Sequence, residues 1–278
     1  MSSDQEQAPS AVARAKVQRS DSDSPTSDSV VVEEPLEIRL KRGSTEEQLG
    51  ITMRTPGADL ELAAGFLWGE GFLSDPAQLL EVKVCGDRSL TPRQRANVVI
   101  AHVSDDTPLA PRALERRFTI SSACGVCGST SMNDLHLRGI KPVLSPKRSN
   151  AQLAEFASKL EGHQPIFKKT GGLHAALLVD AQGETRWVRE DVGRHNAVDK
   201  VIGTALMNNL LPLDDWTLVV SGRIGYEIVQ KAIVAGISAI VGVSAPTSMA
   251  VDLASEFNLT LLAFARNGVA KHFISIPE

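Results

Sequence analysis

The most reactive side chains of the chain are two cysteines, Cys124 and Cys127, separated by Gly125 and Val126. Almost every other residue at positions 120–131 is Gly, Ser, Thr or Ala, so this segment has little apolar surface to bury. We therefore predict a mobile, exposed Cys-x-x-Cys loop over residues 119–132. A thiol in such a loop is accessible to reactants, and it acts as a nucleophile or a metal ligand once it is deprotonated.

Three kinds of chemistry fit a Cys-x-x-Cys pair, and the pair alone does not decide among them. A structural zinc site normally has four ligands, but the chain adds only Cys85 and no nearby His-x₃₋₅-His pair. A thioredoxin-type redox couple usually opens a helix, whereas residues 128–131 read Gly-Ser-Thr-Ser, a poor helix start. A persulfide carrier needs a thiolate that moves between donor and acceptor, and a glycine-rich loop favours this.

A second group of candidates follows three predicted strands in the C-terminal half. The turns read Ser221-Gly222-Arg223, Ser244-Ala245-Pro246-Thr247 and Arg266-Asn267-Gly268. A helix that starts after a strand directs free N–H groups at the crevice beyond the sheet, and arginine contacts phosphate in a bidentate manner. These turns predict a site for a polyanionic ligand. The chain has no Walker or Gly-x-Gly-x-x-Gly motif, which disfavours a standard nucleoside triphosphatase or a Rossmann enzyme.

Residues 189–200 form a third, polar group that precedes a helix with apolar periodicity. Helix capping accounts for Asp191 or Asn196, but it explains less well why Arg194, His195 and Asn196 come together at the turn. For His195, a binding role and a surface role therefore both stay open. We interpret His174, on a predicted strand, as a hydrogen-bonded core histidine.

These candidates need a scaffold, and hydrophobic periodicity predicts two units of the α/β class behind an N-terminal tail. Residues 1–30 are rich in Ser and Asp and predict a disordered tail. Residues 31–118 predict a small α+β domain, with a helix capped by Asp59. Residues 133–278 alternate strands and helices, which predicts an α/β/α layered domain with a partly parallel sheet. We expect Pro246 at the start of one of its helices.

Composition excludes several classes of protein. The chain has 278 residues and a net charge of −4, because 33 Asp and Glu residues outnumber 29 Lys and Arg residues. General nucleic-acid binding would need an excess of basic residues, so this composition disfavours it. Three cysteines exclude a disulfide scaffold, and no apolar run reaches the roughly 18 residues of a membrane span. Because an apolar segment typical of a secretory signal is also absent from residues 1–30, we expect a cytoplasmic protein without a membrane partner.

Seven segments together resemble one family closely, the FdhD/NarQ family of formate dehydrogenase accessory sulfur carriers. They run in order along the chain and leave the N-terminal tail outside. The segments are Met53-Arg54-Thr55-Pro56-Gly57, Glu61-Leu62-Ala63-Ala64-Gly65-Phe66-Leu67, Cys124-Gly125-Val126-Cys127-Gly128, Thr170-Gly171-Gly172-Leu173-His174-Ala175-Ala176, Glu190-Asp191-Val192-Gly193-Arg194-His195-Asn196-Ala197-Val198-Asp199-Lys200, Ser221-Gly222-Arg223 and Ala245-Pro246-Thr247.

The resemblance implies a sulfurtransferase that takes persulfide sulfur from a cysteine desulfurase and passes it to the molybdenum cofactor. That cofactor is bis-molybdopterin guanine dinucleotide, and its sulfuration makes formate dehydrogenase active. The resemblance also implies a cytidine deaminase-like fold for the second domain, and a homodimer. It maps the persulfide onto Cys124, with Cys127 as relay or helper, and no zinc is expected. It maps cofactor binding onto Ala263, Phe264, Ala265, Arg266, Asn267 and Gly268, and the turns add Arg223, Arg194 and His195.

Two other functions fit parts of the sequence. A zinc-dependent nucleobase deaminase needs a His-x-Glu and a Pro-Cys-x-x-Cys motif. None of the six histidines has Glu two residues on, and Ala123 precedes Cys124, so this function fails on the residues. A non-catalytic chaperone that binds the molybdenum cofactor and inserts it without moving sulfur fits the same binding residues. The cysteine loop would then have no task.

Overall fold

The computed structural model of the protein describes residues 10–107 and 132–274, and within these ranges it contains three sheets and eight α-helices. Residues 119–131 of the predicted cysteine loop therefore lie outside the described residues. The N-terminal sheet is a hairpin of strand β1 (Val12–Val17) and strand β2 (Thr26–Val31). The first helix, α1, follows the next two strands and spans Asp59–Glu70.

A four-stranded sheet occupies the predicted α+β region. Its strands are β3 (Glu34–Arg42), β4 (Thr45–Arg54), β5 (Leu79–Val84) and β6 (Val98–Val103). They are arranged in the order β4-β3-β6-β5, and only the β3–β6 pair is parallel. A 3₁₀ helix (Pro76–Gln78) precedes β5, and α2 (Pro92–Ala96) precedes β6. The sequence pattern did not predict β5.

The C-terminal region contains a six-stranded mixed sheet in the order β12-β11-β10-β9-β7-β8. Its strands are β7 (His174–Val179), β8 (Thr185–Asp191), β9 (Thr217–Val220), β10 (Ala239–Gly242), β11 (Thr260–Arg266) and β12 (Val269–Phe273). The three central strands β9, β10 and β11 are parallel, and the remaining pairs are antiparallel.

Helices cover both faces of this sheet. They are α3 (Met132–Leu137), α4 (Asn150–Ala154), a 3₁₀ helix (Glu155–Leu160), α5 (Pro165–Thr170), α6 (Arg194–Met207), α7 (Tyr226–Val234) and α8 (Ser248–Glu256). One apolar cluster joins alternate strand residues to α6, α7 and α8, and a second joins the opposite face to α4 and the 3₁₀ helix. This arrangement confirms the predicted α/β/α layers.

Part of the tail prediction is wrong, because residues 12–31 form the β1–β2 hairpin. Cross-strand backbone hydrogen bonds pair the two strands of this polar segment, and a contact of Val31 fixes the end of β2. Val31 packs directly against Gly172, where the chain has no room for a Cβ atom. Residues 1–9 of the predicted tail lie outside the described residues.

The two predicted domains share one hydrophobic core. A single cluster of buried residues includes Leu36 and Leu62 from the first region and Val198 and Ile202 from the second. Helices α1 and α6 cross in direct backbone contact at glycines, because a Cβ on Gly65 would overlap the carbonyl oxygen of Asp199. Among the described residues, the two predicted domains on either side of residue 118 therefore do not have separate hydrophobic cores.

A charged triad of two buried residues, Lys231 and Asp199, and the exposed Glu70 connects this crossing to a third helix. Nζ of Lys231 on α7 lies 2.8 Å from Oδ1 of Asp199 on α6 and 3.2 Å from Oε1 of Glu70 on α1. The flanking carboxylates raise the pKa of Lys231 despite its burial, so this side chain stays charged. Burial is the largest influence on Asp199 and raises its pKa to about 6, although Lys231 opposes the rise.

We expect this carboxyl group to make the stability of the protein depend on pH between about 4 and 6. Asp199 titrates at 3.8 in a model peptide and at about 6 in the fold, so the folded protein binds more protons in this interval. Its contribution is fully present below the unfolded pKa and is lost as pH rises through the folded value. Relative to Asp199→Asn, the free energy of unfolding should fall by up to about 3 kcal/mol from pH 4 to pH 7. Urea unfolding at several pH values measures this, and a constant difference would contradict it.

Two smaller predictions about helix ends are also wrong. Asp59 does not cap α1, because Ala58 occupies the N-cap in a left-handed conformation and the Asp59 carboxylate pairs with Arg54. Pro246 does not begin α8, whose N-cap is Thr247; it forms a parallel bridge with Ile224 instead.

The β12 strand was not predicted. No helix among the described residues is long and apolar enough to cross a membrane.

Candidate functional site

The three predicted turns lie together at one edge of the six-stranded sheet. Strands β9, β10 and β11 are parallel, so the residues after Val220, Gly242 and Arg266 leave the sheet on the same side. Strand β7 runs antiparallel to β9 and starts at this side with His174, opposite Asp191 at the end of β8. We call this side the site edge.

Backbone hydrogen bonds between the turns fix the shape of the site edge. The amide of Ile224 donates to the carbonyl of Ala245 (3.0 Å), and the amide of Phe264 donates to the carbonyl of Ser244 (3.2 Å). Ser221 is paired with Ala175 in both directions, because its hydroxyl accepts from the Ala175 amide at 2.9 Å and its own amide donates back. The three strand ends therefore form one connected surface.

Four cationic or imidazole side chains gather at the site edge, and we call them the cation cluster: His174, Arg194, His195 and Arg223. Two of them pack against Gly222: a Cβ at this position would lie 3.1 Å from Nδ1 of His174 and 3.4 Å from Cβ of Arg194. Burial lowers the pKa of His174, and the positive charges of Arg194, His195 and Arg223 lower it further. The interpretation of His174 as a core histidine is therefore wrong: it is a partly exposed member of the cluster.

One carboxylate that the sequence pattern did not reveal lies against the cation cluster. Nε2 of His195 lies 2.7 Å from Oε2 of Glu227, the second residue of α7. Nε of Arg194 is buried and has no hydrogen-bond partner among residues 10–107 and 132–274. A donor of this kind is suited to an incoming acceptor such as a phosphate oxygen.

The polar block at residues 190–200 divides into residues that hold the fold together and residues that face the site edge. Asp191 is fully buried: its carboxylate accepts from the amides of Gly193 and Thr55 and lies 2.7 Å from Nζ of Lys200. Asn196 donates to that carboxylate and to the Met53 carbonyl. These contacts fix the start of α6 against β4, so Asn196 is structural, and Arg194 and His195 remain to face the site edge.

The C-terminal segment predicted to bind cofactor lies at the end of β11. Ala263 and Ala265 are buried in the two opposite clusters and present no side chain to a ligand. Between them, Phe264 has a left-handed backbone (φ 54°), is 44% exposed and has Nζ of Lys271 5.0 Å from its ring centroid. Arg266 is exposed.

The turn between β11 and β12 accounts for Asn267 and Gly268, which were predicted to bind the cofactor. Both have positive φ (51° and 74°) and form the turn between β11 and β12, the conformation that an Asn-Gly pair favours in hairpins. Their residue types are therefore required by the turn. The assignment of the segment to cofactor binding stays a prediction that depends on Phe264 and Arg266.

Cys124 and Cys127 lie outside the described residues, so their position relative to the site edge stays a prediction. The third cysteine, Cys85, is buried against Val98 and Ile100. In the part of the chain that the structure describes, no group of three or more His, Cys, Asp or Glu side chains could hold a metal ion.

The fold and the site define a class of α/β protein in which parallel strands end at a cationic edge suited to anions. Residues 31–275 match the model of the FdhD/NarQ family, and the chain belongs to this family. A sulfur carrier protein FdhD from Streptomyces coelicolor is 45% identical over 242 residues, which cover 86% of this chain and 84% of the relative. One from Sulfolobus acidocaldarius is 42% identical over 86% of both chains.

A solved structure has the same fold. The crystal structure of a proposed formate dehydrogenase accessory protein from Desulfotalea psychrophila matches with a TM-score of 0.71 and covers 95% of this chain and 96% of its own. Its sequence identity is 23%, so this likeness supports the fold alone.

Proposed function

We propose that the protein is a sulfur carrier that serves formate dehydrogenase. In this proposal Cys124 accepts persulfide sulfur from a cysteine desulfurase, and the sulfur passes to the molybdenum cofactor bound at the site edge. Membership of the FdhD/NarQ family, and relatives named sulfur carrier proteins, support the carrier role. The proposal includes a homodimer and an exchange in the cytoplasm, where thiols remain reduced.

The cation cluster is the observation that carries the cofactor-binding part of the proposal. Bis-molybdopterin guanine dinucleotide is a polyanion with two pyrophosphate groups, and it needs several cationic or N–H donors on one surface. Arg194, His195 and Arg223 meet this need at the ends of α6 and β9. Phe264 supplies an exposed aromatic ring at the same edge, suited to stack on a guanine base. The residues present therefore fit the ligand.

The thiol chemistry balances with the two cysteines of the motif. The Cys124 thiolate attacks the terminal sulfur of the desulfurase persulfide, which forms a new S–S bond and releases the donor cysteine as thiolate. For delivery, the Cys127 thiolate attacks Sγ of Cys124, and the terminal sulfur leaves as hydrosulfide. The two cysteines are then a disulfide, and a dithiol reductant must reduce it before the next cycle.

Chain connectivity limits where Cys124 can act. The first described element after it, α3, contacts the last turn of α8: Nε2 of His136 lies 2.5 Å from Oε1 of Glu256. Because α8 leads into the start of β11, this contact lies at the edge of the sheet opposite the site edge. Seven residues lie between Cys124 and Met132, and the eight Cα–Cα steps between them span at most about 26–29 Å. The nine residues of α8 rise only about 14 Å. The chain length thus permits the delivery that the proposal requires.

Arg223→Ala and Arg194→Ala are expected to weaken binding of GDP, a fragment of the cofactor with one pyrophosphate. Each variant loses a charge-assisted contact, which corresponds to about 10-fold to 100-fold in affinity. Isothermal titration calorimetry measures this. Arg186→Ala is the matched control, because Arg186 is an exposed arginine near the start of β8, away from the site edge. Unchanged affinity in both cluster variants would overturn the cofactor site.

A further inference from the structure

A carboxylate lies against the cation cluster. A site that binds polyanions would be expected to exclude carboxylates, because they repel the ligand. Glu227 is the second residue of α7, and its side chain is 32% exposed. Its Oε2 lies 2.7 Å from Nε2 of His195, which is an ion-pair distance, but the two atoms are not aligned for a hydrogen bond, and Nε2 has no hydrogen-bond partner among the described residues. The pair joins the N-terminal turns of α6 and α7 at the site edge.

The surroundings of Glu227 favour its charged form. Contact with His195 is the largest influence and lowers the pKa of Glu227, while the charges of Lys231 and Arg194 lower it further against an opposing effect of burial. Glu227 is therefore a carboxylate at neutral pH. Lys231 forms ion pairs with Asp199 and Glu70, whereas the ion pair of Glu227 is with His195 of the cation cluster.

We infer that Glu227 is a specificity-determining residue of the site edge, which limits the negative charge of the phosphate group that binds beside His195. This inference rests on the proposed anion site. A phosphate that approaches His195 meets the Glu227 carboxylate, which competes for the same ring nitrogen and repels the phosphate. The repulsion grows with ligand charge, so the site discriminates for a diphosphate-bearing ligand and against a triphosphate.

The alternative role for Glu227 is purely structural, in which it holds His195 in place for the ligand. The two roles predict opposite results when the charge alone is removed. A positioning carboxylate that is replaced by an amide leaves His195 less well oriented, and affinity falls. A competing carboxylate that is replaced by an amide leaves one more donor for the ligand, and affinity rises.

The chain contains a matched control for this substitution. Glu256 forms the same kind of pair with His136, at the edge of the sheet opposite the site edge. Glu256→Gln therefore removes one negative charge and one His–Glu pair without altering the cation cluster. It separates a local effect of Glu227 from a change in the net charge of the protein.

The experiment measures the affinities of inorganic pyrophosphate, GDP and GTP for the full chain by calorimetry, in wild type and in Glu227→Gln, Glu227→Asp and Glu256→Gln. We expect Glu227→Gln to bind GDP about fivefold more tightly and GTP more tightly still, with the gain reduced at high salt. Glu227→Asp retains the charge and should keep the preference of wild type for GDP. Glu256→Gln should match wild type for all three ligands.

Each other outcome has a defined meaning. Weaker binding by Glu227→Gln, or a gain that is the same for GDP and GTP, overturns the inference. The inference also fails if Glu227→Asp behaves like Glu227→Gln, because shape rather than charge would then decide. If the wild-type protein binds none of the three ligands, the proposed anion site on which the inference rests is removed instead. Thermal unfolding of each variant verifies that it is folded.

Discussion

Replacing Cys124 by alanine is expected to abolish sulfur uptake from a cysteine desulfurase while the protein stays folded. The terminal sulfur of a persulfide is taken up by a thiolate, and alanine offers none. Cys85 does not substitute for it, because Cys85 packs against Val98 and Ile100 and is only 6% exposed. Mass spectrometry after incubation with desulfurase and cysteine should show one added sulfur atom on the Cys124 peptide of wild type and none on the variant.

Further measurements on the same variant separate a sulfur carrier from a cofactor chaperone. Cys124→Ala should bind GDP as wild type does, since the cation cluster is intact, but should not activate formate dehydrogenase. Cys127→Ala should still load sulfur on Cys124 and should release it slowly, because no second thiolate is present to displace it. Full activation of formate dehydrogenase by Cys124→Ala would favour the chaperone function over the carrier function.

The sequence predicted best those parts of the fold that depend on local pattern. The strands that end at Val220 and Gly242 are short apolar runs between turns, and each leads into an amphipathic helix. Parallel strands in such units must end at the same edge, so the gathering of Arg223 with the other turns followed from pattern alone. The hairpin of residues 12–31 did not follow, since most of its residues are polar and its stability depends on strand pairing and on the contacts of β2 with α5 and Gly172.

Contacts between distant residues account for the parts of the site that the sequence did not predict. Asn196 looked like a helix cap or a binding residue, but its partners include Met53, 143 positions earlier. His174 looked like a core histidine because it starts a buried strand, and only the neighbouring turn at Gly222 shows that it faces the site edge. Glu227 lacked any signal, because its partner His195 lies on a different helix. Pairing of this kind has no local pattern.

Gly203→Ala is expected to destabilise the protein strongly, although it adds only one methyl group to the core. In an ordinary helix interior, alanine is more favourable than glycine by about 1 kcal/mol. At Gly203, however, the new Cβ would overlap the carbonyl oxygen of Glu61 and lie 2.6 Å from the amide nitrogen of Gly65, and both are backbone atoms of α1. No rotamer change relieves a backbone overlap, so α1 and α6 must separate.

That separation should cost about 3 kcal/mol or more, because overpacking here also pulls Asp199 away from Lys231. It should also displace the N-terminal turn of α6, which carries Arg194 and His195, so GDP binding should weaken together with stability. Gly162→Ala is the matched control, since a Cβ there meets nothing within 4 Å and the variant should be as stable as wild type or slightly more so. Urea unfolding of both variants measures the difference. If Gly203→Ala is as stable as wild type, the two helices do not cross in backbone contact, and the shared core cannot be what positions the cation cluster.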